Sequence, residues 1–150
     1  MTTTPTDLGV LSAQVLFALQ KELFGRLAEQ GHPRLRPRHG AVLAYLDPEG
    51  SRATELAAQS GQHKQVIGTL VDELEELGYV QRRPDPQDRR AKLVVPTELG
   101  LDQGRKSRAI LADIEARHAA DVGADAYAAF KTVLIRIAAR QRVNSPPFPG

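Results

Sequence analysis

The chain of 150 residues contains no cysteine. Disulfides, thiolate metal sites and thiol redox chemistry are therefore excluded, and a cytoplasmic location is the simplest expectation. A long hydrophobic run is missing as well. The most apolar stretch near the N-terminus is interrupted by Ser12 and Gln14 and is soon followed by Lys21 and Glu22. From this pattern we expect neither a signal peptide nor a membrane span.

Patterns typical of catalytic and metal sites are also missing. Glycine-rich nucleotide loops are absent, and neither a Ser/His/Asp set nor a paired-carboxylate arrangement stands out. No two histidines are three to five residues apart, so a metal sensor would need ligands that only the fold brings together. We therefore expect no enzymatic activity, no cofactor and no metal. The four histidines are His32, His39, His63 and His118.

The chain has little net charge, because 20 Lys and Arg residues are balanced by 18 Asp and Glu residues. Positive charge is instead concentrated between positions 82 and 97, where five cations accompany only two acids. Turn-forming residues separate these cations and short apolar runs flank them, which predicts a β-hairpin that carries positive charge into solvent. Such a hairpin beside a helix is suited to contact with a polyanion. The five cations are Arg82, Arg83, Arg89, Arg90 and Lys92.

Apolar residues at helical spacing predict helices on both sides of the hairpin. They cover about residues 7–30, a short segment after Pro37, and about 54–60, 63–77, 98–118 and 125–142, with a loose tail over 143–150. By length, residues 1–150 form one domain. The outer helices carry more apolar surface than a small central module can cover, so we expect a second copy to cover it in a symmetric dimer.

Residues 54–77 have the spacing of a helix-turn-helix. Ala57 is small where two helices cross, Gly61 gives the turn its backbone freedom, and Ile67 and Leu70 anchor the second helix. The expected buried face of that helix consists of Val66, Ile67, Leu70, Val71, Leu74 and Leu77.

Polar side chains occupy the opposite face of the second helix near its start. Gln65 can pair with adenine, Lys64 can reach guanine or phosphate, and Thr69 can contact a thymine methyl group. We expect these residues and His63 to contact DNA, with Arg38 contacting phosphate; an ordinary solvated helix surface is the alternative.

The stretch VDELEELGYVQRRPDPQDRRAKLVVPTELG resembles the signature of the MarR family of winged helix-turn-helix regulators. The similarity extends in order and spacing from about Leu8 to Arg142. Asp88, Arg89 and Arg90 match the Asp-x-Arg motif of the family's wing. The resemblance implies that Arg90 enters the minor groove, that Asp88 orients it, and that Arg89 is a second candidate for this contact.

The resemblance also implies a homodimer whose first and last helices intertwine, over about residues 8–30 and 98–142. A DNA-binding lobe over about 37–97 would bind a palindromic operator. Many family members release DNA when a small aromatic acid fills a cleft between the dimer helices and this lobe. His39, Tyr45 and Phe17 are the candidates for lining that cleft.

Two departures from the family pattern have structural consequences. Pro96 replaces the usual Leu before Thr97, and because proline lacks an N–H it is predicted to end the second wing strand one residue early. Gln62 and His63 replace the usual Ser or Thr at the start of the second helix, which predicts a weak N-cap and a loose first turn.

The sequence therefore predicts a mainly α fold with a small β-hairpin wing and long N- and C-terminal dimerisation helices. The expected function is that of a dimeric, sequence-specific transcription regulator, a repressor released by a small aromatic or anionic ligand. Two alternatives stay open. A winged-helix protein-interaction module is favoured by the acids between Asp72 and Glu76 and by the near-neutral charge, and a DNA-binding regulator without an effector would lack the cleft.

Overall fold

The computed structural model describes residues 6–144, which form six α-helices, one 3₁₀ turn and a two-stranded antiparallel hairpin. The expectation of a mainly α winged helix-turn-helix fold is confirmed. In chain order the elements are α1 (Leu8–Glu29), the 3₁₀ turn (Pro37–His39), α2 (Gly40–Leu43), α3 (Ala53–Ser60), α4 (Lys64–Glu76), β1 (Val80–Asp85), β2 (Asp88–Pro96), α5 (Glu98–Val122) and α6 (Ala124–Asn144).

Helix α5 and strand β2 both end later than the sequence-based prediction. Helix α5 continues four residues beyond His118, because no helix breaker precedes Gly123, whose φ of 100° ends it. Strand β2 runs through Pro96, which pairs with Val80, so the predicted early end is wrong. Proline is tolerated there because both strands of a two-stranded hairpin are edge strands.

The C-terminal end of the chain is also more ordered than predicted over two residues. Val143 and Asn144 belong to α6, whereas the remainder of the expected loose tail, residues 145–150, lies outside the described residues.

The core of the central lobe packs α4 against α2, α3 and the base of the hairpin. Leu56 of α3, Ile67 and Leu74 of α4, Val42 of α2 and Val94 of β2 are all buried in one cluster. This burial supplies the hydrophobic stabilisation that holds the two helices and the hairpin together.

Gly100 allows the lobe to join α5 closely. A Cβ at this position would lie 2.3 Å from the carbonyl oxygen of Tyr79, so any larger residue would push α5 away from the hairpin. Thr97 caps α5 by accepting a hydrogen bond from the Gly100 N–H, as expected, and its hydroxyl also donates to the Gly78 carbonyl.

A buried histidine forms a second connection between the lobe and the long helices. His32, just after α1, has Nδ1 2.6 Å from the Tyr79 hydroxyl and Nε2 2.8 Å from Asp102 Oδ2 of α5. The pKa of Asp102 is lowered by hydrogen bonds from Lys106 and then from His32. Three separate segments therefore meet at one buried side chain.

Helices α1 and α5 pack through a smaller core of Leu27, Ile110 and Ile114. Beyond it, the predicted apolar stripe of α1 lies in water in the single chain, and α6 has no buried residue in its described length. None of the helices in residues 6–144 has the length and apolar character of a bilayer span. The exposed large apolar side chains on α1, α5 and α6 are Leu8, Leu11, Val15, Leu16, Phe17, Leu99, Val122, Phe130, Val133, Leu134, Ile135, Ile137 and Val143.

Candidate nucleic-acid interface

The helix-turn-helix is formed by α3 and α4 with Gly61 between them. Gly61 has φ 73° and ψ 8°, a left-handed conformation that favours glycine, and its N–H donates to the Ala57 carbonyl. The predicted reason for glycine at this position is therefore confirmed by its backbone angles.

The exposed start of α4 carries the side chains expected to read bases. His63 is the N-cap: its Nδ1 accepts a hydrogen bond from the Gln65 N–H at 3.3 Å. The N-cap is therefore a histidine making one long hydrogen bond, and the loose first turn stays a prediction. Lys64, Gln65 and Thr69 are exposed, and the Thr69 hydroxyl donates to the Gln65 carbonyl. Their contact with DNA stays a prediction.

The prediction that Val66 belongs to the buried face is wrong. Ile67, Leu70, Val71 and Leu74 fill the lobe core, whereas Val66 is 43% exposed. The four core residues already form a continuous stripe, and Val66 lies beside that stripe.

The wing consists of β1, β2 and a turn at Pro86 and Gln87. Between the pairs Pro84 with Lys92 and Asp85 with Asp88 the register shifts, which leaves Arg89 and Arg90 in an irregular segment near the tip. Both arginines are exposed, and no described side chain forms an ion pair with either guanidinium.

Asp88 contacts Arg90 through the backbone, because its Oδ1 accepts from the Arg90 N–H at 3.1 Å. This carboxylate therefore fixes the main chain at the tip. The minor-groove position that the family resemblance implies for Arg90 is compatible with this geometry. The contact between Arg90 and the groove stays a prediction.

The base of the wing is attached to the segment before α3. The backbone of Ser51 exchanges two hydrogen bonds with Val94, at 2.9 and 2.8 Å. Near the tip, Arg52 donates from Nε and Nη2 to Asp85 Oδ2 at 2.9 and 2.7 Å. Hydrogen bonds from the Gln87 N–H and from Arg52 lower the pKa of Asp85, so this carboxylate stays ionised and holds the turn.

Arg82 does not project into solvent with the other wing cations, as the sequence suggested. Its guanidinium lies 2.7 Å from Asp72 Oδ1 and 3.0 Å from Glu75 Oε1, both on α4, and its Nη2 donates to the Gly68 carbonyl at 3.4 Å. The wing strand and the candidate recognition helix are therefore joined by one side chain.

Arg38 is held in a similar way at the other side of α4. Its Nε donates to Glu73 Oε2 at 3.0 Å, and His39 Nε2 lies 2.9 Å from the same oxygen. The pKa of Glu73 is lowered by Arg38 first and His39 second. Much of the Arg38 side chain still faces solvent, so the predicted phosphate contact remains available to it.

A cavity of about 260 Å³ lies between α1, α2 and α5. Its walls are mainly apolar, with Arg108 at the rim. The Nη1 atom of Arg108 lies 3.4 Å from where a Cβ of Gly104 would be, so the guanidinium rests against α5 at a glycine. The lining residues include Leu23, Phe24, Leu27, Leu43, Leu111, Gln103, Ser107 and Arg108.

The three residues predicted to line an effector cleft are not among those lining this cavity, and their role stays a prediction. Phe17 and Tyr45 are exposed and do not line this cavity. His39 is buried, with Nδ1 accepting from the Arg36 N–H at 2.9 Å and Nε2 directed to Glu73. Both ring nitrogens are thus used within the lobe, and burial lowers the pKa of His39.

Residues 6–144 contain no group of three or more His, Cys, Asp or Glu side chains arranged to hold a metal ion.

The arrangement defines a class of protein: a winged helix-turn-helix with an exposed polar helix start and an arginine-bearing wing. A family model described as MarR family matches residues 35–91, which include the helix-turn-helix and most of the wing. No curated protein matches the chain.

Solved structures extend this similarity over most of the chain. CouR from Rhodococcus jostii RHA1, bound to p-coumaroyl-CoA, is 31% identical with a TM-score of 0.71, covering 88% of this chain and 92% of that one. A MarR-family transcriptional regulator from Rhodococcus sp. RHA1 is 30% identical with a TM-score of 0.70, covering 88% and 94%. The repressor CouR bound to a 23-mer DNA duplex is 25% identical with a TM-score of 0.71, covering 88% and 92%.

The chain belongs to the MarR family, and its function is DNA-binding transcription regulation.

Proposed function

We propose that this protein is a homodimeric transcriptional repressor that binds a palindromic operator. The observation that carries the proposal is the joining of α4 to the wing by Arg82, which presents the polar helix start and Arg89 and Arg90 as one unit. Two such units in a symmetric dimer place recognition helices in successive major grooves, roughly 34–36 Å apart, with wings in the flanking minor grooves.

Charge pairing on α4 supports DNA as the partner. Asp72 and Glu75 share the guanidinium of Arg82, and Glu73 pairs with Arg38. Three of the four acids that favoured a protein partner therefore have cationic partners within the lobe, and the free positive groups face outward at the wing and the helix start. A polyanionic duplex matches this distribution.

The dimer is supported by the uncovered apolar faces of α1 and α6. Leu8, Leu11 and Val15 on α1 and Phe130 and Leu134 on α6 are all exposed in the single chain. A second copy of the chain covers both faces at once by two-fold symmetry. We place this dimer in the cytoplasm, together with the DNA that it binds.

Selection of DNA tests this function. Purified protein is mixed with fragmented genomic DNA, and the retained fragments are sequenced, with the Lys64→Ala/Gln65→Ala double variant as control. We expect a shared inverted repeat with the wild type and its loss or degeneration with the variant. Retention of no shared repeat would contradict operator binding and favour the alternative of a protein-interaction module.

The cavity between α1, α2 and α5 is the proposed effector site. Its volume of about 260 Å³ suits a single-ring molecule, since pockets for drug-sized ligands span roughly 300–1,000 Å³. Arg108 supplies positive charge at the rim, and Phe24 and Leu111 supply apolar walls, so a small aromatic acid matches both features.

The effector site is tested by adding benzoate and cinnamate to the protein–operator complex. We expect benzoate to weaken DNA binding by the wild type and by Arg105→Met, a control on the same helix, but not by Arg108→Met. Equal sensitivity of the two variants would contradict the role of Arg108. A wild-type protein indifferent to all aromatic acids would support the alternative of a regulator without an effector.

A further inference from the structure

Val66 is an apolar, β-branched side chain that lies partly in water on α4. It is 43% exposed, whereas the adjacent Ile67 is fully buried in the lobe core. Single exposed apolar residues are common on protein surfaces, so exposure by itself assigns no role to Val66. Its surroundings on the helix are what distinguish it.

Val66 lies among the polar side chains that are directed outward from the helix-turn-helix. An open groove of about 620 Å³ is lined by Val66 together with Gln62, Gln65, Thr69 and Arg38. Val66 and Thr69 are three residues apart in α4, so they share one flank of the helix. The apolar patch at Val66 is therefore continuous with the candidate base-reading surface.

The far end of this flank is electrically balanced. Glu73, seven residues after Val66, also lines the groove, and its carboxylate is paired with Arg38 at 3.0 Å and His39 at 2.9 Å. The carboxylate that lines this groove is therefore paired, which reduces its repulsion of DNA phosphates. The flank combines an apolar spot, hydrogen-bonding groups and a neutralised acid.

The major groove of DNA offers one apolar group for such a spot, the 5-methyl group of thymine. When the start of α4 enters the groove, the Val66 methyl groups leave water, and contact with a thymine methyl covers apolar surface on both partners. We propose that Val66 determines sequence specificity by contacting a thymine methyl group, beside the base-reading side chains of Gln65 and Thr69. This inference rests on the operator binding proposed above.

A thermodynamic cycle tests the contact. In the operator recovered by selection, each thymine is replaced in turn by uracil, which removes only the methyl group. The wild type should lose affinity on the order of fourfold at one thymine of each half-site, as expected for one methyl group no longer buried. Val66→Ala should bind the unmodified operator more weakly by a similar factor and show no further loss at that uracil.

Glu49→Ala is the control, because Glu49 is exposed in the turn before α3 and lies outside α4, the wing and the dimer helices. It should keep the wild-type response to every uracil. Thermal unfolding of Val66→Ala should match the wild type, since Val66 contributes little to the core. A wild type that is indifferent to uracil at all positions, or a Val66→Ala variant that retains the full uracil penalty, would overturn the contact. Failure of the wild type to retain any DNA would overturn operator binding as well.

Discussion

Arg82 on the wing strand is bonded to Glu75 on α4 by two separate groups. Its guanidinium Nη1 lies 3.0 Å from Glu75 Oε1, and its backbone N–H donates to Glu75 Oε2 at 3.2 Å. A second acid of the same helix, Asp72, accepts from Nη2 at 2.7 Å. The wing and the recognition helix are thereby held in one orientation, and the wing has one free cation fewer than its sequence indicates.

Replacing Arg82 by Ala should weaken operator binding while leaving the salt dependence of binding unchanged. The variant loses the orientation of the wing relative to α4, but no phosphate contact is removed, so the number of released counterions stays the same. Stability should fall by only about 1 kcal/mol, because partly exposed ion pairs contribute roughly 0.2–1 kcal/mol each. Fluorescence anisotropy at several salt concentrations measures the operator affinity and its salt dependence. A reduced slope for Arg82→Ala would place Arg82 on the phosphates instead.

Replacing Arg90 by Ala should have the opposite signature. Its guanidinium is exposed at the wing tip, so we expect the free energy of operator binding to weaken by on the order of 1–3 kcal/mol. The slope of log affinity against log salt concentration should fall by about one, as expected for one lost phosphate contact. The same anisotropy titration is carried out with Arg83→Ala for comparison, because the Arg83 side chain donates a hydrogen bond to Gln81 within the wing. Unchanged affinity and slope in Arg90→Ala would remove the wing tip from the interface.

The helices, the hairpin and the family were predictable because periodicity and turn chemistry are local properties of the sequence. Gly61 and Thr97 have the backbone roles that their residue types indicated. The partners of individual charges were not predictable, because Arg82 and Asp72 meet only after the chain folds. Val66 was misplaced for a related reason: helical periodicity cannot distinguish the edge of an apolar stripe from its centre.

Stability should decrease below pH 6.5 because of His39. Burial holds the pKa of His39 below its ordinary value of 6.5, so below this pH the unfolded chain binds more protons than the folded chain. The stability from neutral His39 is therefore fully present above pH 6.5 and is lost as the pH falls toward the folded-state pKa. Chemical denaturation between pH 8 and pH 5.5 measures the trend.

His39→Gln is the comparison for this pH effect. The variant should be less stable at every pH, because a buried hydrogen-bonding ring is lost, but its stability should change less between pH 8 and pH 5.5. The interval stays above the ordinary value of 4.5 for Glu73, whose pKa is lowered further by Arg38 and His39. Parallel curves for the two proteins would show that His39 is not responsible.

Leu134→Glu should convert the protein to a monomer and abolish operator binding. Leu134 is exposed on α6, in the apolar stripe with Phe130 and Ile137, and a carboxylate there cannot be buried against a second chain without a large desolvation cost. Thr132→Glu, on another face of the same helix, should remain dimeric. Light scattering gives the mass of each, and a dimeric Leu134→Glu variant would show that this stripe is not the interface.

The spacing of the half-sites tests the proposed dimeric binding most directly. Operator affinity is measured for the selected repeat and for the same repeat with five or ten base pairs inserted between its halves. Two rigidly related recognition helices need half-sites on one face of the duplex, about 10–10.5 base pairs per turn. We predict that the five-base-pair insertion reduces binding to the level of an isolated half-site. Full affinity after that insertion would contradict simultaneous binding by two lobes of one dimer.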